Sequence, residues 1–242
     1  MLQAAHKMQA LIFDCDGVLV DTERDGHRVA FNEAFKAIGW KTEWSVERYG
    51  ELLTTAGGKE RMRRHFDEIG WPVPEAERDA AIASLHKLKT DLFMKLIESG
   101  ALPLRAGIAR IVDEALSAQL KIAVCSTSNE RAVQAVVDKM LGAKRAQHIK
   151  VFAGDIVAKK KPDPAIYDLA AQVLGLDPRK CVVVEDSNNG LRAAKSANMN
   201  CIVTISSYTA EEDFKLADRV VAELGDLPNR LVTLSDLRSL VK

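Results

Sequence analysis

Apolar residues follow two rhythms along this chain. Unbroken runs at Ala10–Phe13, Lys121–Cys125, Ile149–Ala153, Val182–Val184 and Asn200–Ile205 have the length and β-branched content of buried strands. Elsewhere they recur at helical spacing. Thr22–Ile38 carries Val29, Ala30, Ala34, Phe35 and Ile38 near one face and ends at Gly39. Helices are then expected over Val46–Leu53, Lys59–Ile69 and about Glu75–Glu98, broken by Gly57-Gly58 and by Trp71-Pro72-Val73-Pro74. Later helical patterns cover Ile108–Ala118, Glu130–Leu141, Pro164–Leu174 and Gly190–Ala197. The third of these has Asp163 placed to cap it, Pro164 at its first position and Gly175 after its end. Arg219–Val221 is expected as a last strand and Ser235–Val241 as a last helix.

Alternating strands and helices with non-alternating apolar strands predict an α/β fold, a doubly wound, Rossmann-like parallel sheet. The all-helical block falls between the first strand and the rest. The expected organisation is therefore an α/β core of residues 1–21 and 102–242 with an inserted helical cap of residues 22–101. Ligands of such sheets bind at the strands' carboxyl ends, where an insertion can act as a lid.

Lys+Arg 34 against Asp+Glu 34 leaves no net charge, so nucleic acid and acidic membranes are not expected partners, and an anionic ligand needs a local basic cluster. No apolar stretch approaches the ~18 residues of a membrane span. Met1–Gln9 reads neither as a signal peptide nor as an Arg/Ser-rich transit peptide. Cys15, Cys125, Cys181 and Cys201 fall in or beside strand runs without Cys-x-x-Cys spacing, as reduced core cysteines do.

The chemistry concentrates where strands end. Ala10–Phe13 runs into Asp14-Cys15-Asp16-Gly17; on a continuing strand the two carboxylates would share one side, and their repulsion asks for a cation or for split acid/base roles. A calcium loop of the EF-hand kind is excluded, since glycine stands fourth rather than sixth. The second run leads to Ser126-Thr127-Ser128, the third to Lys159-Lys160-Lys161, and the fourth to Glu185-Asp186. Singly, each admits a plainer account: a polar strand end, an N-cap, a solvated turn. Together they bring oxygen ligands suited to Mg²⁺ and a lysine and hydroxyl suited to a phosphoryl group to one sheet edge.

In that order these four segments resemble the motifs of the haloacid dehalogenase superfamily. The resemblance implies that Asp14 is a nucleophile forming an aspartyl-phosphate and that Asp16 is the general acid and then base. Ser126 and Lys161 would hold the phosphoryl group. Asp14, Asp16 (through its backbone carbonyl), Asp186 and Glu185, as ligand or orienter, would bind Mg²⁺. Further segments, Asp21-Thr22-Glu23, Glu51-Leu52-Leu53-Thr54-Thr55 and Gly57-Gly58-Lys59-Glu60-Arg61, are similar to the CbbY group and its plant and algal members. That group's implied activity is hydrolysis of xylulose 1,5-bisphosphate, an inhibitor of Rubisco, in the plastid stroma. Asn188-Asn189 before Gly190 departs from the group's smaller or apolar residues and bears on substrate rather than catalysis.

The implied partner is a small-molecule sugar bisphosphate, acted on by a monomer. Its non-reacting phosphate needs a second cationic site, for which Gly57, Gly58, Lys59 and Arg61 are candidates, with Arg48, Tyr49 and Thr55 nearby in sequence. Thr22, Glu23 and His27, on the first cap helix, and Thr127 and Ser128 complete the expected substrate contacts. Trp40, Trp44 and Trp71 read as cap core. A β-phosphoglucomutase-like mutase, a phosphoglycolate or other sugar-phosphate phosphatase and a non-catalytic binding module remain as alternatives.

Overall fold

The computed structural model describes residues 8–55, 58–229 and 231–241. The chain divides into two compact units, Met1–Asp21 with Pro103–Lys242, and Thr22–Leu102.

β1 (Ala10–Phe13) opens the first unit. The second unit begins with a π-helical turn, Thr22–His27, that runs into α1 (Arg28–Ala37), followed by α2 (Val46–Leu53), α3 (Gly58–Ile69) and α4 (Arg78–Glu98). Back in the first unit come α5 (Ile108–Ser117), β2 (Lys121–Cys125), α6 (Glu130–Val136), the short α7 (Ala143–Ala146) and β3 (Ile149–Phe152). After them follow α8 (Ala165–Leu174), β4 (Cys181–Glu185), α9 (Asn188–Ser196), β5 (Asn200–Thr204), β6 (Arg219–Val221) and α10 (Leu234–Ser239).

The six strands form one sheet in the order β3-β2-β1-β4-β5-β6, every pairing parallel. All four residues of β1 are fully buried. Alternate strand residues Ala10, Ile12, Ala123, Cys125, Cys181, Val183, Cys201 and Val203 share one core cluster with Ile166, Tyr167 and Ala170 of α8 and Leu191, Ala193 and Ala194 of α9. Burying both faces explains the unbroken apolar runs. It also explains the cysteines, which are free and buried as small apolar side chains. The neighbouring carboxyl ends of β3, β2, β1 and β4 bring four polar loops side by side.

In the helical unit, Phe31, Phe35, Trp44, Tyr49 and Phe66 make an aromatic core, with Trp44 wholly enclosed. Several boundaries differ from the sequence reading. The first helix begins as a π turn, the long one is α-helical only from Arg78, and α7 has no apolar periodicity to reveal it. Pro164 stands at the N-cap of α8 rather than its first position, and Asp163 Oδ1 accepts the Ala165 N–H at 3.1 Å. Among the described residues no helix is long and apolar enough to cross a membrane.

Candidate active site

β1 stops at Phe13, so Asp14 and Asp16 do not sit on a continuing strand as their spacing suggested. Asp14 N–H still bonds Val184 O at 3.0 Å, while Asp16 enters a tight turn that bridges back to Val20 and closes with Gly17 N–H on Val20 O at 2.8 Å. Gly17 makes this turn possible with φ +78°, a conformation that disfavours other residues. The turn gives the two carboxylates different partners. Asp14, 8% exposed, accepts from Lys161 Nζ at 2.6 Å. Asp16 accepts from Ser128 Oγ at 2.5 Å, with Ser126 Oγ at 3.5 Å.

Lys161 is the hub of a buried network. Its ammonium also donates to Glu185 Oε1 at 2.7 Å and Cys125 O at 2.9 Å, and lies 4.9 Å from the centre of the Tyr167 ring. The Tyr167 hydroxyl donates to the same Glu185 oxygen at 2.6 Å. The other oxygen, Oε2, accepts from Asp186 N–H at 3.2 Å and Ser187 Oγ at 3.4 Å. Burial works against the Lys161 charge, but Asp14 and Glu185 together outweigh it and raise its pKa. Ser187 caps α9 by accepting Gly190 N–H at 3.1 Å, a contact that contributes about 1 kcal/mol and fixes the turn carrying Asp186.

Asp14, Glu185 and Asp186 each offer a carboxylate oxygen, all within 4.8 Å of one another. Burial pushes Asp14 up to about 7 despite Lys161, with Glu185 and Asp16 adding to the rise. It likewise holds Asp186 well above the usual carboxylate range, helped by Glu185 and Asp14. A cluster of buried carboxylates sharing one ammonium is short of positive charge, and an all-oxygen set of this kind fits a hard divalent cation. Since both Glu185 oxygens are already bonded, its environment suits orienting the cluster more than direct ligation.

The helical unit holds a second polar cluster. Lys89, 8% exposed, places Nζ 2.9 Å from His27 Nδ1 and 4.8 and 5.2 Å from the ring centres of Phe31 and Phe93. His27 stacks on Phe93 at 3.9 Å. Burial first, then Lys89 and Arg61, hold its pKa well below normal, so a neutral ring receives the lysine proton donor. Glu23 Oε2 accepts from the Tyr49 hydroxyl at 2.6 Å, and Arg61 Nη1 lies 3.3 Å from that hydroxyl and 3.9 Å from Glu23.

The structure therefore joins Glu23, His27, Tyr49 and Arg61, and adds Lys89, which the sequence reading missed. Thr22 is buried at the start of the π turn. Gly58 packs so closely that a Cβ there would lie 3.1 Å from His86 and Phe31, and Lys59 follows it, exposed. Gly57 lies outside the described residues. Thr55 accepts from Arg64 and Arg61 rather than facing outward alone. Arg48 is drawn elsewhere, into ion pairs with Glu51 at 2.8 Å and with Glu68. Thr127, half-buried, follows Ser126 in the loop after β2. Tyr167 was also missed. Lys89 did carry a signal: it interrupts the buried stripe Ile82, Leu85, Phe93, Ile97 of α4.

A strand end bearing a buried carboxylate, a buried lysine and an acidic cluster on a parallel sheet make the site of a hydrolase acting on phosphate esters. The profile of the haloacid dehalogenase-like hydrolases matches residues 8–198, and the chain belongs to that family, as a phosphoric monoester hydrolase. Within it the chain falls among the CbbY proteins. It is 59% identical over 237 residues to a CBBY-like protein of Arabidopsis thaliana, covering 96% of this chain and 74% of that one. It is 44% identical over 225 residues to protein CbbY of Cereibacter sphaeroides, covering 91% and 95%. A crystal structure of a CbbY mutant from Rhodobacter sphaeroides in complex with xylulose-(1,5)bisphosphate superposes with a TM-score of 0.72 at 40% identity, covering 95% and 99%.

Proposed function

We propose that this hydrolase removes one phosphate from xylulose 1,5-bisphosphate, giving xylulose 5-phosphate, through an aspartyl-phosphate on Asp14 and with Mg²⁺ as cofactor. The observation that carries this reading is the buried Lys161 ammonium, which meets Asp14 and Glu185 beside Asp186 and suits the reacting phosphate. Within the helical unit, Lys89 and Arg61, with His27, Glu23 and Tyr49 around them, form a cationic cluster suited to a phosphate. The bisphosphate bound by the related CbbY supports the same reading.

Asp14 attacks phosphorus and the bond to the sugar oxygen breaks, while Asp16 gives that oxygen a proton. Asp16 then takes a proton from water as the water attacks the aspartyl-phosphate, releasing phosphate and restoring the Asp14 carboxylate and the protonated Asp16. Lys161 screens the charge between Asp14 and the incoming phosphoryl oxygens, and Ser126 supplies a hydroxyl beside Asp16. Asp14, the Asp16 carbonyl and Asp186 would hold Mg²⁺, which supplies positive charge for the phosphoryl oxygens and keeps Asp14 ionised. Glu185 would orient that set. The enzyme acts as a monomer in the plastid stroma, clearing a sugar that inhibits Rubisco.

A phosphate-release screen over xylulose and ribulose 1,5-bisphosphates, hexose phosphates and phosphoglycolate tests this. Xylulose 1,5-bisphosphate is expected to be clearly preferred. Comparable rates on hexose phosphates would overturn the substrate, and isomerised sugar phosphate without phosphate release would indicate a mutase.

A further inference from the structure

We propose that Arg105 is the positioning residue of the catalytic turn, fixing the Gly17 carbonyl and thereby the spacing between the Asp16 turn and Asp186. The inference rests on the aspartyl reading of the site. Arg105 stands before α5, in a segment with no acidic neighbour. Its guanidinium donates to backbone and hydroxyl oxygens, and its charge also favours the ionised form of Asp186. Nη1 donates to Gly17 O and also to Thr204 O at 3.1 Å and Thr204 Oγ1 at 3.2 Å. Nη2 donates to Ile205 O at 2.6 Å and Ala222 O at 2.8 Å. Its own backbone N–H bonds Leu19 O at 2.9 Å, which grips the same turn from a second point.

Three remote segments are thus joined by one side chain: the turn after β1, the end of β5 and the residue after β6. Thr204 itself bonds Glu185 O at 3.4 Å, so the anchor reaches the acidic strand as well. Gly17 transmits the position. A Cβ on it would lie 2.0 Å from Asp186 Oδ2, so the backbone of this residue and the Asp186 carboxylate are in direct packing contact, one residue from Asp16. A shift of Gly17 therefore moves Asp16 and opens or crowds the space around Asp186. Arginine suits this task because its planar fork offers five donors in fixed directions, whereas a lysine ammonium is a single point and cannot span acceptors on three segments.

The test compares wild type, Arg105→Lys, Arg105→Ala and Asp14→Asn as full chains. It follows phosphate release from xylulose 1,5-bisphosphate and, separately, Mn²⁺ binding by electron paramagnetic resonance. Misplacement of catalytic groups by a fraction of an ångström predicts that Arg105→Lys lowers kcat by about tenfold or more with KM within about twofold. Mn²⁺ binding is expected to weaken several-fold, and millimolar guanidinium to restore part of the kcat of Arg105→Ala but none of Asp14→Asn. Arg105→Lys with wild-type kcat and Mn²⁺ affinity would overturn the inference, as would folded Arg105→Ala that guanidinium does not rescue. Persistent turnover by Asp14→Asn would instead remove the aspartyl reading.

Discussion

Lys161 Nζ lies 2.6 Å from Asp14 Oδ1 and shares its charge with Glu185, so the Asp14 carboxylate is held by a cation that belongs equally to the acidic strand end. Asp14→Asn keeps the shape of that contact and removes the attacking oxygen. Phosphate release should fall by roughly 10⁴-fold or more, as for nucleophile removal in other covalent enzymes, with the fold retained by circular dichroism. Turnover within a hundredfold of wild type would sink the covalent route.

The second cluster makes pH a probe of the distal phosphate. Burial above all, with Arg61 adding and Glu23 opposing, lowers the Lys89 pKa to about 8. Below that pH the ammonium is charged and attracts phosphate; above it the attraction fades. For the bisphosphate, kcat/KM should therefore decline as pH rises through about 8 while kcat stays level. Lys89→Met should raise KM about tenfold or more at neutral pH and abolish the alkaline decline. The linkage for stability has the opposite sense. Between this depressed value and the ordinary lysine range the unfolded chain binds more protons, so the helical unit gains stability as pH rises through that window.

Gly190 tests the orienting role of Glu185. A Cβ at position 190 would lie 1.9 Å from Glu185 Cδ, and Glu185 is buried and bonded at both carboxylate oxygens. Gly190→Ala should cost about 1–3 kcal/mol in urea unfolding and depress kcat through displacement of Glu185. Gly39, unlike Gly190, has a positive φ, and it meets nothing within 4 Å of its Cβ direction. Gly39→Ala should cost about 1 kcal/mol from backbone strain and leave turnover unchanged. Equal effects on kcat from both variants would refute the orienting role.

Chelation should separate the cation from the scaffold. Extensive dialysis against EDTA is expected to remove activity, and Mg²⁺ to restore it, without loss of helical circular dichroism. Full activity after chelation would reject the carboxylate cluster as a cation site.

The core of the candidate site was legible because a buried strand announces itself by an apolar run and must place its polar residues where it ends. Asp14, Ser126, Lys161 and Glu185 were visible for that reason. The carboxylates' separate partners were not, since they depend on the turn at Gly17 rather than on strand periodicity. Lys89 was hidden by the habit of reading a long helix by its apolar stripe, when the polar member of the stripe carried the information. Arg105 left no trace in the sequence, because most of the acceptors it meets are backbone oxygens on three distant segments and any residue can supply one.

The place of β1 in the sheet also sets the order in which the molecule can be made. Ala10 pairs with Lys121 on one side and with Cys181 on the other. As the chain is synthesised, the strand that leads into Asp14 precedes both neighbours and waits for them, and the Asp14, Glu185 and Asp186 carboxylates cannot meet until β4 has emerged. The helical unit is a continuous segment and needs no such delay. A nascent chain therefore lacks the assembled carboxylate cluster until β4 has joined β1.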